Sequence, residues 1–407
     1  MKFIRRSLGA LAVAVAALAL AATGVAAASP SGHHRNRHLP FPGLHHHRPA
    51  PPHHLPPPPH FPPPPQGEAG AVFVQTDNTA GNAIVAYRRD ADGGLTEAGT
   101  YPTGGLGGQL EGSVVDHLAS QGSLALDRQD HLLYAVNAGS DTITVFAVDG
   151  DRLRREQVLP SGGEFPVGVA VHGNLVYVLN ARGGGSIQGY ARLGGHLVEI
   201  GAWNRPLGLD PNATPEFTHT PGQVAFTPGG SQLVVTTKGN TSAVDVFAID
   251  GFGGPSTAPT VTPLPEAVPF AVEFDAAGRL LIAEAGTNSV ASFTIGADGS
   301  LVPVASAATG QEATCWIVGV GPYQYVSNAG SGTLSGFVDG ASSLTPLGNT
   351  ATHGGTVDAA AAGGFLYVQT GAEGIVDEFR VEAGGGLAAL GSVTVPGAVG
   401  GEGIVAS

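Results

Sequence analysis

Glu164 in "GGEFPVG", Glu312 in "GQEATCW" and His353 in "ATHGGTV" each stand just before a short apolar run in a chain of 407 residues. Two carboxylates and an imidazole converging on one point could move protons in acid–base catalysis or bind a divalent metal. The same three could equally line a polar, water-filled channel. Cys315 begins the apolar run after Glu312, but a nucleophilic thiol needs a neighbouring base, and the sequence places none. Cys315 and Trp316 therefore read as packing. A second set of imidazoles, His45, His46, His47, His53 and His54, lies in "LHHHRP" and "PPHHLP". Imidazole suits Zn²⁺, Ni²⁺ and Cu²⁺, yet no ligand spacing repeats there, and a wet spacer is the competing reading.

Composition divides the chain into three materials. Residues 1–28 have Lys2, Arg5 and Arg6, then a Leu/Ala/Val run from Leu8 to Ala22, then Ala26-Ala27-Ala28. This is the pattern of a secretory signal peptide, and the apolar run is short for a bilayer span. Export is expected, with no membrane insertion after cleavage. Residues 29–66 hold fourteen prolines and nine histidines and no acid, a composition that forms an extended stalk rather than a core. Residues 67–407 carry twelve Lys and Arg against 32 Asp and Glu. So acidic a domain repels nucleic acid and anionic lipid. A single cysteine excludes an internal disulfide framework, so a large apolar core must hold the domain together.

That core is legible as a repeat. "LYAVNAGSDTITVFAVDG" (133–150) is two β-rich runs with turn chemistry between and after them. The same grammar returns at 72–95, 176–197, 233–253, 280–301, 325–344 and 366–387. Phe73, Tyr134, Tyr177, Leu233, Leu281, Tyr325 and Tyr367 are equivalent positions. A period of roughly 40–50 residues with four short strands per unit predicts a β-propeller, here of seven blades. "SLAL", "VGVAV", "QVAF", "FAVEF", "CWIVGV" and "TVDAA" supply the inner strands of six units. The first unit lacks one, and "GEGIVAS" (401–407) is expected to complete it, closing the ring. Asp149-Gly150, Asp250-Gly251, Asp298-Gly299 and Asp339-Gly340 are expected at the outer hairpins.

"QGSLALDRQDHLLYAVNAGSDTITVF", "PGQVAFTPGGSQLVVTTKGNTSAVDVF" and "TCWIVGVGPYQYVSNAGSGTLSGF" resemble the repeats of the seven-bladed lactonase superfamily. Its better-known members are bacterial 6-phosphogluconolactonase and fungal carboxymuconate-lactonizing enzyme, and the likeness is greatest to secreted actinobacterial members. The resemblance spans about 70–407 and implies His, Arg and Glu side chains around the channel mouth, with no cofactor required; the acidic charge of this face leaves a divalent metal as an option. Where the family often has an Arg-His pair, this chain has Gly222-Gln223. His219 could replace the histidine, or be a loop residue bonded to backbone. Arg182, Arg205 and Lys238 are the cations on the face carrying the interblade loops, among many acids including Glu402 at the start of the closing strand. Arg182, Arg205, Gln223 and Glu402 are the candidate ligand-binding residues, and Glu164, Glu312, His353 and His219 the candidate catalytic ones. An acidic mouth disfavours a phosphorylated sugar. The expectation is a secreted monomer hydrolysing a neutral lactone or cyclic ester, against a non-catalytic propeller that binds a small ligand or an extracellular protein. Long loops such as 102–122 and 203–221 could carry the site or merely plug the channel.

Overall fold

The computed structural model describes residues 69–407. It contains seven antiparallel sheets of four main strands each, arranged as the blades of a β-propeller. Blade 2 shows the pattern: Leu124–Asp127 innermost, then Leu132–Asn137, Thr142–Asp149 and Arg152–Pro160. The second strands are buried almost throughout, because both faces pack against neighbouring blades, which is why they read as unbroken apolar runs. The outermost strand of blade 2, "RLRREQVLP", is mostly exposed and charged, which protects an open edge from pairing with other chains. All seven equivalent positions, from Phe73 to Tyr367, lie in second strands.

The ring closes through its termini. Ile404–Ala406 pairs antiparallel with Gly70–Gln75, Val74 opposite Ile404 and Val72 opposite Ala406, so blade 1 takes its inner strand from the C-terminus. Of the Asp-Gly pairs, Gly150 (φ 62°) and Gly299 (φ 83°) do turn their hairpins in the left-handed region. In blade 6 the register places Gly340 opposite Ser343, so Asp339-Gly340 ends the strand and the turn lies beyond it.

A clasp between blades recurs at the tyrosines of the repeat. Tyr177 donates its hydroxyl to the Gly253 carbonyl (2.6 Å), Tyr325 to Gly385 (2.9 Å) and Tyr367 to Gly93 (2.8 Å). Each acceptor is a glycine with φ between 83° and 96° in the outer hairpin of the next blade. At Gly93 an added Cβ would lie 2.3 Å from the Phe365 ring, so close approach and backbone conformation both demand glycine.

The loop between blades 1 and 2 does not skirt the channel but crosses it. The Gln121 amide pairs with both backbone groups of Ile317 on blade 6, donating to its oxygen (2.9 Å) and accepting from its nitrogen (3.0 Å). Trp316 Nε1 donates to the Ser120 carbonyl (2.7 Å), Ser120 Oγ to Val167 on blade 3 (2.8 Å), and Gly122 N to Glu402 Oε1 (3.0 Å). Leu110 and Leu118 are wholly buried. The loop is a plug.

Beneath it lies a cluster of buried acids: Asp77, Asp116, Asp358 and Glu402. Asp116 is held by the backbone N–H groups of Leu118, Ala119 and Ser120, and Asp77 accepts from Glu402 N (2.8 Å). Asp358 accepts from Ala359 N and Ile404 N, and Glu402 Oε1 from Gly122 N. Burial pushes Asp77 and Asp358 up to about 7. Burial, then the charges of Asp358, Asp116 and Asp77, push Glu402 well above its ordinary value.

Two predictions follow from this packing. Removing the hydroxyl in Tyr177→Phe or Tyr367→Phe should lower stability by about 1–2 kcal/mol each, because a buried carbonyl loses its donor; chemical denaturation measures it, and unchanged stability would mean the clasps carry no load. The second concerns pH. Groups whose pKa is higher folded than unfolded stabilise fully below the unfolded value and lose that stability as pH rises through the folded one. For Asp77 and Asp358 the loss should run from about pH 4 to about pH 7, and Glu402, raised by burial and by its acidic neighbours, acts in the same sense; the half-buried His117, lowered by burial, works in the opposite sense. The melting temperature should therefore be higher at about pH 5 than at about pH 7.5, and Glu402→Gln should narrow the gap. A melting temperature that rises across that range would show the cluster ionising freely.

Candidate functional site

A cavity on the same face lies off the axis, between blades 3 and 4. It encloses about 210 Å³ and is lined by Glu164, Arg182, Gly183, Gly184, Asp210, Glu216 and His219, among others. One wall is the turn "ARGGG" between Leu175–Asn180 and Ser186–Leu193. The other is the long loop after blade 3, which joins the turn through Leu207 N to Gly185 O and Leu209 N to Gly184 O, both 2.9 Å. Gly184 has φ 88°, and a Cβ there would stand 3.0 Å from the Leu209 carbonyl. Glycine is needed for the two walls to meet.

Within this frame the polar groups have distinct tasks. Arg182 lies over the Phe165 ring at 4.2 Å and grips Glu216 through Nε (2.7 Å) and Nη2 (3.1 Å). Glu216 also accepts from Glu111 N (2.7 Å). The guanidinium holds the Glu216 carboxyl below the usual range, and Glu216 holds Arg182 above its own. The Glu164 carboxylate is exposed and faces Gly183, where an added Cβ would lie 3.8 Å from its Oε2. The backbone N–H groups of Gly183 and Gly184 have no backbone partner among the described residues, and successive amides in a left-handed turn form an anion-binding concavity.

His219 ends the short helix Glu216–His219. Its Nδ1 lies 2.9 Å from the Pro215 carbonyl and 2.9 Å from Thr218 Oγ1. A carbonyl can only accept, so Nδ1 carries a proton, and in the neutral ring the lone pair is on Nε2. An imidazole, a carboxylate and the Gly183-Gly184 turn thus line one cavity. That set can activate water and stabilise an oxyanion.

The structure brings together Glu164, Arg182 and His219 and leaves the other sequence-derived candidates elsewhere. Glu312 is exposed; its backbone bonds to Ser331 and Gly330 on blade 6. His353 is exposed and pinned by Asp377, Nδ1 to Oδ1 at 2.6 Å and its backbone N to Oδ2 at 2.8 Å. Neither shares the cavity with Glu164, so the expected channel triad does not form. Arg205 donates to four backbone carbonyls, of Ser256, Pro255, Ala202 and Asn204, and is a loop clamp rather than a ligand contact. Gln223 accepts from Val272 N (2.6 Å) on the inner strand of blade 5, and Glu402 is sealed under the plug with no exposed surface. Cys315 is buried, its thiol pushed up to about 12 by burial. Among the described residues no three His, Cys, Asp or Glu side chains are grouped to hold a metal. His45, His46, His47, His53 and His54 lie outside the described residues. Position along the repeat could not reveal the Gly183-Gly184 amides or the Glu216 clasp, although "RGGG" and the long loop marked both walls.

Residues 73–193 match the family described as Lactonase, 7-bladed beta-propeller. No curated protein matches the sequence. Among solved structures, a putative 6-phosphogluconolactonase from Bacteroides uniformis is similar at TM-score 0.69 and 16% identity, over 84% of this chain and 100% of that one. One from Bacteroides fragilis is similar at TM-score 0.65 and 18% identity, over 83% and 97%. A periplasmic gluconolactonase from Pseudomonas aeruginosa gives TM-score 0.66 and 19% identity over 83% and 98%. At such identities the structural likeness carries the fold.

Proposed function

We propose that this chain, a lactonase-like seven-bladed β-propeller, hydrolyses a neutral lactone in the cavity between blades 3 and 4, outside the cytoplasm and without a cofactor. The observation that carries the reading is His219, whose Nδ1 is engaged by the Pro215 carbonyl and which lines the same cavity as Gly183 and Gly184. Nε2 takes a proton from water as the water oxygen bonds to the lactone carbonyl carbon. The carbonyl oxygen becomes an oxyanion and accepts from the Gly183 and Gly184 amides. When the ring C–O bond breaks, the leaving oxygen takes the proton back from Nε2, giving a hydroxy acid. Glu164, exposed at the rim, is placed to accept from ligand hydroxyls.

Charge argues for a neutral substrate. Arg182 is paired with Glu216, Lys238 is buried on three oxygen acceptors, and Arg205 is consumed by carbonyls. None remains to meet a phosphate, and the acidic surface would repel one. The same field speeds departure of the carboxylate product. The gluconolactonase among the similar structures bears a name that agrees with a neutral substrate. A second reading is a binding propeller without chemistry, favoured by Gln223, which stands where an Arg-His pair is expected and is engaged in capping Val272.

Acid release in a pH-stat from gluconolactone and from 6-phosphogluconolactone separates these readings. The full chain should turn over the neutral lactone in preference. His219→Ala should lower kcat/KM by roughly 10²–10⁴-fold, the usual range for loss of a general base. Glu312→Gln and His353→Ala should leave turnover unchanged. Turnover that survives His219→Ala discards the site, and no acid release from either lactone leaves the binding propeller.

A further inference from the structure

We propose that Lys238 and Asn240, neither of which lines the cavity, are the positioning residues that hold His219 in its working orientation. The inference rests on the reading of His219 as the base. Both residues belong to the short helix Lys238–Thr241, which replaces a plain turn between the second and third strands of blade 4.

The long loop that carries His219 has little regular structure of its own, so its position must come from side chains. Lys238 is fully buried and sits at φ 45°, an uncommon conformation for a residue with a side chain. Its three ammonium protons meet three oxygens: the carbonyls of Ala119 and Phe217 (the latter 2.7 Å) and Thr220 Oγ1 (2.9 Å). Two of these acceptors bracket His219 in sequence, and the third belongs to the channel plug. The ammonium also lies 5.1 Å from the centre of the Phe270 ring. Asn240 completes the hold. Its Nδ2 donates to the His219 carbonyl and the Asp210 carbonyl, both 3.0 Å, and its Oδ1 accepts from Asp210 N (3.1 Å). The backbone of His219 is thus fixed at its own carbonyl and on both sides, and the Pro215 carbonyl then sets the ring.

This arrangement explains why a lysine is buried at some cost. An ammonium is the one side-chain end that supplies three donors from a single point, and three otherwise unpaired oxygens converge there. Its charged neighbours are Asp116 on the plug and Glu216 on the loop, with the Cys315 thiol on the inner strand of blade 6. Because Ala119 is one of the acceptors, the same lysine ties the cavity wall to the plug, and hence to the ring of inner strands. A positional error at His219 of about 1 Å can cost a hundredfold in rate, so the hold matters beyond stability.

The test uses the full chain as Lys238→Met, which keeps the stem and removes the donors, and as Asn240→Ala, at a half-buried position where folding is less at risk. The readouts are nitrogen NMR of the His219 ring, assigned by its loss in His219→Asn, hydrogen exchange across 210–220, and lactone kinetics. In the native protein the ring should report the Nδ1–H tautomer. In either variant it should report a mixture, loop amides should exchange about tenfold faster while the strands keep their protection, and kcat should fall roughly 10–100-fold with KM little changed. An unchanged ring and unchanged exchange in both variants overturn the proposal, as does a fall in kcat with the ring still fixed. If the native protein turns over no lactone, the catalytic reading fails alone, since ring state and exchange still report whether Lys238 and Asn240 hold His219.

Discussion

The inner strand of every blade has one edge without a neighbouring strand, and its N–H and C=O groups face a channel too narrow to be treated as open solvent. Those groups must be satisfied, because each buried orphan costs about 1–3 kcal/mol. Much of the chain's irregular structure answers that demand. Gln121 pairs with Ile317, Gln223 caps Val272, Asp358 caps Ile404, and the Gly122 carbonyl accepts from Val169 N (2.8 Å). The first and last of these come from the plug, so that loop is part of the ring's hydrogen bonding rather than a decoration on it.

Satisfying the backbone in this way draws acids into the core. Asp116 folds the plug by accepting three consecutive amides, Asp358 caps the closing strand, and Glu402 fixes Gly122 from the residue that leads into that strand. Each carboxylate is well placed for its own amides, yet together they are like charges in a poorly solvated space. Burial pushes Asp77, Asp358 and Glu402 toward their neutral forms, and the ammonium of Lys238 lies near Asp116; together these make the assembly tolerable. Ring closure and electrostatics are therefore one problem here, since the C-terminal strand enters the sheet through the residues that carry the charge.

The fold was legible in the sequence because a blade is a local object. Tyr134, Tyr177, Tyr325 and Tyr367 recur at one place in a period-two pattern, and the missing inner strand at the start is matched by "GEGIVAS" at the end. What the repeat could not convey is which side chain satisfies which distant atom. His353 sits where an inner strand begins, but Asp377, from the third strand of its own blade, captures it. Arg205 reads as a free cation until the carbonyls around residues 202–204 and 255–256 are seen to enclose it. Glu164, Arg182 and His219 do share a cavity, though not the channel, because position along a blade says which face a residue occupies and not whether the axis is open.

The location of the cavity follows from the plug. A loop that bridges from blade 3 across to blade 6 occupies the axis, and the cavity between blades 3 and 4 lies at the rim. There it needs two walls longer than an ordinary hairpin turn. The chain provides them with the glycine turn at 183–185 and the loop that zips onto it through Leu207 and Leu209. Lys238 then joins that loop to Ala119 of the plug. The structure that fills the channel is thus also the anchor against which the displaced site is held, and rigidity at the axis becomes precision at the rim.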